Sequence, residues 1–315
     1  MKVIVYHIFC VGNYLDVVKS QLNKLISSGL YQWCDVMEVS CVDTTGEYNG
    51  IDELFKDLGK VNLFKTTQNY YEYWGIKKVW DIAQQHDGQV FYFHSKGVSN
   101  TYKNLQTKET SIWKVEGVNI WRDALEEHLI NNYPQCIEDL KEYDTCGLTN
   151  VGNWYWGNFW WANLSFVREN QEPSHGDRWY FEDWLHHARH YKSKEYYHFE
   201  WNPYFTNLPL ETYVNKDFFK GKNVEVLNAL FGSTGIQQDE GYPTDYPSIQ
   251  NDVTEKIKEN LKNNDNKEIN IRVDTDSFGD PAHGLRKFLV MMLNIDNTVY
   301  RITYNEGFNV GLKFY

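Results

Sequence analysis

The sequence predicts an α/β protein, in which helices flank a mostly parallel, Rossmann-like sheet and a small β-sandwich-like domain follows at the C-terminus. Over the first hundred residues, apolar β-branched runs alternate with segments of helical periodicity. That alternation is typical of right-handed strand–helix–strand crossovers. All 12 tryptophans lie between Trp33 and Trp201, and two-residue alternation replaces the helical spacing nearer the C-terminus. This change of character predicts a second domain.

The composition limits the classes of partner. The 315 residues carry a formal net charge of −12 and contain no Lys/Arg-rich run, so a nucleic-acid partner is not expected. No stretch approaches the roughly 18 apolar residues that a spanning helix needs, and Asn13 and Asp16 come too early for a signal peptide. We therefore expect a cytoplasmic protein without a membrane span. The five cysteines include no Cys-x-x-Cys pair and are expected to be reduced thiols.

The elements of the first domain follow from the hydrophobic periodicity. Residues 2–9 form a continuous apolar run, which is typical of a strand buried on both faces. Apolar residues at helical spacing come next, with Asn13 as the expected cap and Gly29 as the expected end. Further strands are predicted at 36–42, 61–65 and 89–94, and further helices at 71–83 and 120–129.

The domain bounds follow from the same patterns. The first domain is predicted to span residues 1–212 and the second residues 222–315, with 213–221 as the linker. After a turn-rich segment, the second domain should continue with one helix and several alternating strands. The turn-rich segment is 232–246, the helix is 252–261, and the strands are 268–273, 286–293, 298–303 and 308–314.

The loop after the 89–94 strand is the first candidate for chemistry. His94, Ser95, Lys96 and Gly97 leave the strand where parallel sheets bind ligands, at its carboxyl end. A lysine offers a point charge, and a serine and backbone amides offer donors, so the loop is suited to a diphosphate. The alternative is a polar turn that only leaves the sheet. By their places at other strand ends, His7, Asp43 and Lys65 are assigned to the same nucleotide-binding crevice.

A run of aromatic residues at 154–162 is the second candidate. Flat aromatic faces can pack against the aliphatic faces of sugars, and a neighbouring asparagine adds directional hydrogen bonds. The alternative is that such a strand only builds core. The candidates for contact with a donor or acceptor sugar are Gly157, Asn158, Trp160 and Trp161, together with Arg178 further along the chain.

Adjacent carboxylates form the third candidate. Glu182 and Asp183 are expected to begin a helix, where one could accept a proton from an acceptor hydroxyl while the other orients the substrate. The alternative is structural, because acidic residues also stabilise the N-terminal turn of a helix.

The order and spacing of these segments resemble those of glycosyltransferases of the GT-A fold. The closest likeness is to a viral and bacterial type with a His-Ser/Thr-Lys-Gly loop and a Gly-Asn-Phe-Trp-Trp-Ala strand, and it covers roughly residues 1–210. The resemblance implies that the loop at His94 replaces the usual Asp-x-Asp loop, which holds the diphosphate through a divalent metal. It also implies that the segment from Gly157 lines the donor sugar and that Glu182 and Asp183 supply the base. His198 lies where such enzymes place a further metal ligand.

The missing Asp-x-Asp loop leaves two alternatives for the metal. The enzyme could be metal-independent, with Lys96 and His94 neutralising the diphosphate directly. Alternatively, His94 and His198 could bind Mn²⁺ or Mg²⁺. We expect no obligatory metal.

The C-terminal region resembles a separate β-domain that is appended to diverse proteins. The likeness rests on Asp252-Val253-Thr254 and on the later run Phe278-Gly279-Asp280-Pro281, in which a tight turn is expected. It implies no function, and glycan binding, homo-oligomerisation or simple capping of the first domain all stay open.

The leading functional hypothesis is transfer of a sugar from a nucleotide-diphosphate sugar, with a UDP-sugar favoured, to a hydroxyl of a glycan or another acceptor. The rival is a non-catalytic glycan-binding protein on the same scaffold. A weaker third hypothesis is a nucleotide-sugar hydrolase that uses water as the acceptor.

Overall fold

The computed structural model describes residues 1–99, 112–152, 154–187, 190–197, 220–239, 242–285, 287–296 and 298–314. The chain divides into two compact units, Met1–Glu200 and Trp201–Tyr315. The predicted end of the first domain at residue 212 and most of the 213–221 linker lie outside the described residues, so those bounds stay predictions.

The first unit contains a seven-stranded sheet in the order β3-β2-β1-β4-β6-β5-β7. The first four strands in this order are parallel, β6 is antiparallel to both β4 and β5, and β7 is parallel to β5. The predicted α/β class with a mostly parallel sheet is therefore confirmed. The strands are β1 (Lys2–Phe9), β2 (Val36–Val42), β3 (Val61–Thr66), β4 (Gln89–His94), β5 (Thr145–Gly147), β6 (Trp160–Asn163) and β7 (Ser193–Glu195).

Helices cover both faces of this sheet. The first helix ends where predicted, since Gly29 takes a left-handed φ of 86°, but the side chain of Asn13 makes no capping hydrogen bond. No helix within the described ranges is long and apolar enough to span a bilayer. The helices are α1 (Tyr14–Ser27), α2 (Leu30–Trp33), α3 (Ile51–Phe55), α4 (Tyr73–Gln85), α5 (Ile112–Glu126), a π-helical turn (Glu127–Asn131), α6 (Tyr133–Asp139), α7 (Leu164–Arg168), α8 (Arg178–Asp183) and a 3₁₀ turn (Trp184–His186).

The core on one face of the sheet packs β1, β4 and β6 against α4, α7 and α8. Val5, Ile76 and Trp160 are among its fully buried members. The opposite face packs against α1, where the Tyr6 hydroxyl donates to Gln21 Oε1 (2.5 Å). All five cysteines are free thiols and buried. Both faces of β1 and β4 are thus covered, as their continuous apolar runs predict.

The second unit contains a four-stranded antiparallel sheet in the order β12-β11-β8-β9 and a two-stranded sheet of β10 and β13. Its core includes Phe231, Ile257, Leu289 and Val310. The elements are β8 (Val224–Asp239), β9 (Tyr242–Asp252), α9 (Thr254–Asn263), β10 (Glu268–Arg272), α10 (Thr275–Phe278), β11 (Phe288–Ile295), β12 (Thr298–Asn305) and β13 (Asn309–Lys313).

The segment predicted to be rich in turns, 232–246, instead belongs to the hairpin of β8 and β9. Its Gly and Pro residues have other roles in this hairpin. A Cβ at Gly232 would lie 2.1 Å from Ile249 O, so glycine permits a close approach of the two strands. Pro243 lies on β9, an edge strand, where a missing N–H costs the least.

A chain that ends at residue 212 should fold on its own, because the described members of the core beneath α4, α7 and α8 all lie between Val3 and Tyr191. We expect it to unfold cooperatively in a circular-dichroism melt, with the full chain measured beside it. An insoluble shortened chain, beside a well-behaved full-length protein, would show that the two units share a core.

Candidate functional site

A row of side chains crosses the sheet close to the carboxyl ends of its parallel strands. Phe64 on β3 is in register with Ser40 on β2, Ser40 with His7 on β1, and His7 with His94 on β4. Residues in register point to the same face of a sheet. Two of the predicted site residues, His7 and His94, are therefore neighbours on the face that α4 covers.

His7 is buried and neutral at pH 7. Its Nδ1 is 2.9 Å from Ser40 Oγ, and only 3% of the residue is exposed. The pKa of His7 is lowered to about 4, mainly by burial. The Glu72 carboxylate acts against this decrease, and the neighbouring His94 adds to it.

His94 is also neutral, and its hydrogen bonding fixes the position of its proton. Burial, and secondly the charge of Lys96, lowers the pKa of His94 to about 3. Its Nε2 lies 2.8 Å from the carbonyl oxygen of Gly157, and because that oxygen can only accept, Nε2 carries the hydrogen. The lone pair of Nδ1 then faces Glu72 Oε1 at 3.7 Å. Two acceptors thus face each other, and a donor from a ligand can bridge them.

Glu72 is not among the residues that the sequence patterns single out, yet it lies at the centre of the site. It precedes α4 and is buried, and its Oε2 accepts hydrogen bonds from Tyr92 Oη and Asn158 Nδ2, both at 2.7 Å. The only local signal is an acidic residue among aromatic residues at a helix start. Gly75 allows α4 to lie this close, since a Cβ there would be 2.9 Å from the Tyr92 ring.

Gly157 and Asn158 form a tight turn before β6. Both have left-handed backbones, with φ values of 89° and 52°, which glycine and asparagine tolerate best. Asn158 Nδ2 also donates to Phe181 O (3.2 Å), and its Oδ1 accepts from Trp160 Nε1 (2.8 Å). The asparagine therefore joins α4, α8 and β6 through one side chain.

Hydrogen bonds from β1, α1 and α5 fix the loop after β4 in place. Ser95 N donates to His7 O (3.0 Å), and Ser95 Oγ accepts from Phe9 N (3.0 Å), so the loop closes onto β1. Gln21 Nε2 donates to His94 O (3.3 Å), and Arg122 Nη1 donates to Lys96 O (2.9 Å). These bonds fix the start of the loop from the α1 and α5 side of the sheet.

Lys96 is 4% exposed, and its ammonium lies 4.1 Å above the centre of the Trp121 ring. A cation held over an aromatic face in this way is stabilised by the ring quadrupole. Lys96 also contributes to the lowered pKa of His94, so its positive charge acts directly on the cluster.

Glu182 and Asp183 end a helix rather than begin one. Helix α8 spans Arg178–Asp183, and its cap is Asp177, whose carboxylate accepts from Tyr180 N (3.0 Å). Glu182 therefore does not lie at a helix N-terminus. Asp183 precedes the 3₁₀ turn Trp184–His186, but its side chain makes no capping hydrogen bond there.

The two carboxylates have different surroundings. Glu182 pairs with Arg178 (Oε1 to Nε, 3.2 Å), and the charges of both act on His94. For Asp183, by contrast, the charged neighbours are His187, Asp177 and Glu182. Burial raises its pKa, and its Oδ1 is buried and has no hydrogen-bond partner among the described residues. The structure thus groups Glu182 and Arg178 with His94 and leaves Asp183 to one side.

Asp43 and Lys65 form a second group at the ends of β2 and β3. Asp43 accepts from Thr45 N (2.9 Å) and Tyr48 N (2.8 Å). Burial acts to raise the pKa of Asp43, but these bonds outweigh it and the pKa is lowered. Lys65 pairs with Asp52 (2.5 Å) and lies 5.2 Å from the centre of the Tyr48 ring.

Trp160 and Trp161 are core residues. They are 1% and 0% exposed, and Trp160 stacks on Tyr92 while Trp161 Nε1 donates to Leu129 O (2.9 Å). A direct contact with a sugar would need a ring face that neither presents. Trp160 is instead connected to the site through its hydrogen bond to Asn158.

The second predicted metal ligand, His198, lies outside the described residues. Among the residues that the structure does describe, no group of three or more His, Cys, Asp or Glu side chains could hold a metal ion. The alternative that His94 and His198 bind a metal ion therefore stays a prediction.

No protein-family model matches the chain, and no curated protein does. Two solved structures are similar to part of it. HddC from Yersinia pseudotuberculosis is 11% identical and covers 63% of this chain and 91% of its own, with a TM-score of 0.33. TarS 1–349 from S. aureus is 11% identical and covers 62% of this chain and 60% of its own, with a TM-score of 0.28. Likenesses this weak do not indicate a function.

Substitutions of Asn158 should separate its hydrogen bonds from its backbone conformation. Asn158→Gly keeps the left-handed backbone and loses the bonds to Glu72 and Trp160, so we expect it to lower the free energy of unfolding by about 2 kcal/mol. Asn158→Ala should cost about 1 kcal/mol more, because a Cβ strains this conformation. Urea unfolding measures both.

The matched control is Asn266→Ala, at an exposed position with a φ of 58°, which reports the strain alone. A glycine variant at residue 158 that is as stable as the unmodified protein would contradict the role given to these hydrogen bonds.

The buried histidines predict a pH dependence of stability. Because the pKa values of His7 and His94 are lowered in the folded state, the unfolded chain binds more protons between about pH 6.5 and 4. Their contribution is fully present above about pH 6.5 and is lost as the pH falls, with a limiting slope of about 1.4 kcal/mol per pH unit for each histidine. The double variant His7→Gln/His94→Gln should show a shallower slope.

His86→Gln, at an exposed position, is the matched histidine-to-glutamine control for this measurement. If the double variant and the unmodified protein show equal slopes, these two histidines do not cause the pH dependence of the stability.

Proposed function

We propose that the first unit is a glycosyltransferase that uses a nucleotide-diphosphate sugar, with a UDP-sugar as the first donor to test. One observation carries the proposal: His7, Glu72, His94 and Asn158 converge at the carboxyl edge of a parallel sheet. Ligands of open α/β sheets bind at this edge. Lys96 supplies a positive charge that acts on the same cluster.

The arrangement supports a division of roles. The diphosphate would lie by the loop after β4, near Lys96 and Arg178, where positive charge stabilises the leaving group. The two facing acceptors, His94 Nδ1 and Glu72 Oε1, would receive a hydrogen bond from a hydroxyl of the donor sugar. Asp43 and Lys65, at the ends of β2 and β3, would border the nucleoside.

Glu182 is the proposed base, with Asp183 as its rival. Glu182 belongs to the group around His94, whereas Asp183 has the raised pKa that suits a base but lies aside from that group. In the transfer step, the acceptor hydroxyl gives its proton to the carboxylate and its oxygen bonds to the anomeric carbon. The bond from that carbon to the diphosphate breaks, and the nucleoside diphosphate leaves.

A non-catalytic glycan-binding protein is the second candidate. An exposed group of aromatic rings beside the site favours it, because such rings bind saccharides with or without catalysis.

The test has a binding part and a turnover part. A UDP-sugar should raise the melting temperature, since a ligand that binds only the folded state stabilises it by about 2.7 kcal/mol at 100 times its Kd. GDP- and CMP-sugars, each with and without Mn²⁺, complete the panel. If no nucleotide sugar shifts the transition at millimolar concentration, the transferase proposal is wrong.

For turnover, Glu182→Gln should keep donor binding and lower transfer by about 10²- to 10⁴-fold, the usual range for general base catalysis. Asp183→Asn is the matched comparison, with the same loss of charge one residue away, and should leave transfer nearly unchanged. The reverse result would assign the base to Asp183. Unchanged turnover in both variants would remove both carboxylates from the mechanism.

A further inference from the structure

Four aromatic side chains form a continuous group beside the candidate site. We call Phe64, Tyr70, Trp74 and His175 the aromatic patch. Phe64 contacts Trp74 with ring centres 5.2 Å apart, and Trp74 lies 6.1 Å from Tyr70. Tyr70 stacks on His175 at 4.0 Å with an angle of 21°. None of the four is buried, and Phe64 is 44% exposed.

The patch is continuous with the candidate site through the sheet and through one loop. Phe64 is the edge-strand member of the registered row that contains Ser40, His7 and His94. Trp74 follows the buried Glu72 by two residues. The patch therefore lies next to the proposed transfer site and is joined to it through Ser40 and His7, which are both buried, and through the loop that carries Glu72.

Hydrogen bonds hold the Trp74 ring and shape the loop before it. Trp74 Nε1 donates to Gln68 O (2.9 Å), and Tyr71 N donates to Asn69 Oδ1 (3.1 Å). Tyr71 has a left-handed φ of 54°, which is rare for an aromatic residue, and it turns the loop so that Glu72 is buried while Tyr71 is 50% exposed. A fixed ring binds with little loss of side-chain entropy.

The chemistry of the surface favours a saccharide over a protein partner. Two large apolar side chains among the described residues are exposed on the patch or next to it. They are Phe64 and Tyr71, and both are aromatic. The aliphatic ones, Met1 and Ile26, precede β1 and lie on α1. Aromatic faces without aliphatic neighbours match the C–H faces of sugar rings, while Tyr and His tips can bond hydroxyl groups.

We propose that the aromatic patch binds a neutral saccharide of several residues. The further statement that this saccharide is the acceptor rests on the proposed glycosyltransferase function, whereas the binding itself does not. The sequence analysis assigns sugar contacts to Trp160 and Trp161, which are buried. The present proposal assigns them instead to the rings of the aromatic patch, which are not buried.

The experiment is calorimetric titration of the full chain with three neutral hexasaccharides, cellohexaose, maltohexaose and hexa-N-acetylchitohexaose. We expect at least one of them to bind at millimolar concentration or below. Phe64→Ala and Tyr70→Ala should each weaken that binding about tenfold, equivalent to about 1.4 kcal/mol. Phe64→Tyr retains a ring face and should retain binding. Phe308→Ala, which removes an exposed ring from the second unit, is the matched control.

The outcomes separate this proposal from the transferase proposal. If a saccharide binds in a way that depends on Phe64 and no nucleotide sugar binds, the patch proposal is supported and the transferase proposal is wrong. The protein would then be a glycan-binding protein. If a nucleotide sugar binds but none of the three hexasaccharides does, the patch proposal is wrong and the transferase proposal stands. The same holds if a hexasaccharide binds equally well to the Phe64 and Tyr70 variants. If no saccharide binds and the chain self-associates in a way that Phe64→Ala abolishes, the patch is an interface between copies of the chain and the saccharide proposal is wrong.

Discussion

Burial of the Glu72 carboxylate is the constraint on which the candidate site depends. A carboxylate in a protein interior is costly unless hydrogen bonds compensate it. Here the compensation comes from Tyr92 on β4 and from Asn158 in the turn before β6. Three segments that are far apart in the chain must therefore meet at one point. The missing Cβ of Gly75 and the left-handed backbone of Asn158 are the local conditions that let them meet.

A second buried carboxylate, Glu126, acts from the other face of the sheet. It pairs with Lys24 (2.5 Å) and accepts from Gln21 Nε2 (2.8 Å), and the same amide donates to His94 O. Burial raises the pKa of Glu126, while Lys24 acts against the increase. The backbone of His94 is thus fixed from one face and its ring from the other, so the loop after β4 begins from a rigid point.

How far the sequence predicts this protein depends on the range of the interactions involved. The continuous apolar runs of β1 and β4 are local signals, and they place those strands and the histidine at the end of each. The role of Glu72 cannot be predicted from local patterns, because its hydrogen-bond partners are distant in sequence. The sequence predicts a helix start at Glu182, but the helix begins five residues earlier, after the cap Asp177. Acidic residues suit both positions, so the local pattern does not choose between them.

The aromatic residues show a limit of a different kind. A run such as 154–162 is compatible with both a core and a binding surface, since the same rings serve either purpose. Burial decides between them, and burial depends on which helices cover the sheet. Trp160 lies beneath that cover, whereas Phe64, on the edge strand, does not.

The inaccessible thiols have a consequence for how the protein can be studied. All five cysteines are buried and free, and burial raises the pKa of Cys34 and Cys146, so little reactive thiolate is present at neutral pH. A single cysteine introduced on the surface would then be the preferred target of a maleimide dye. Fluorophores can therefore be attached at chosen positions, for instance to follow the distance between the two units, without first removing the native thiols.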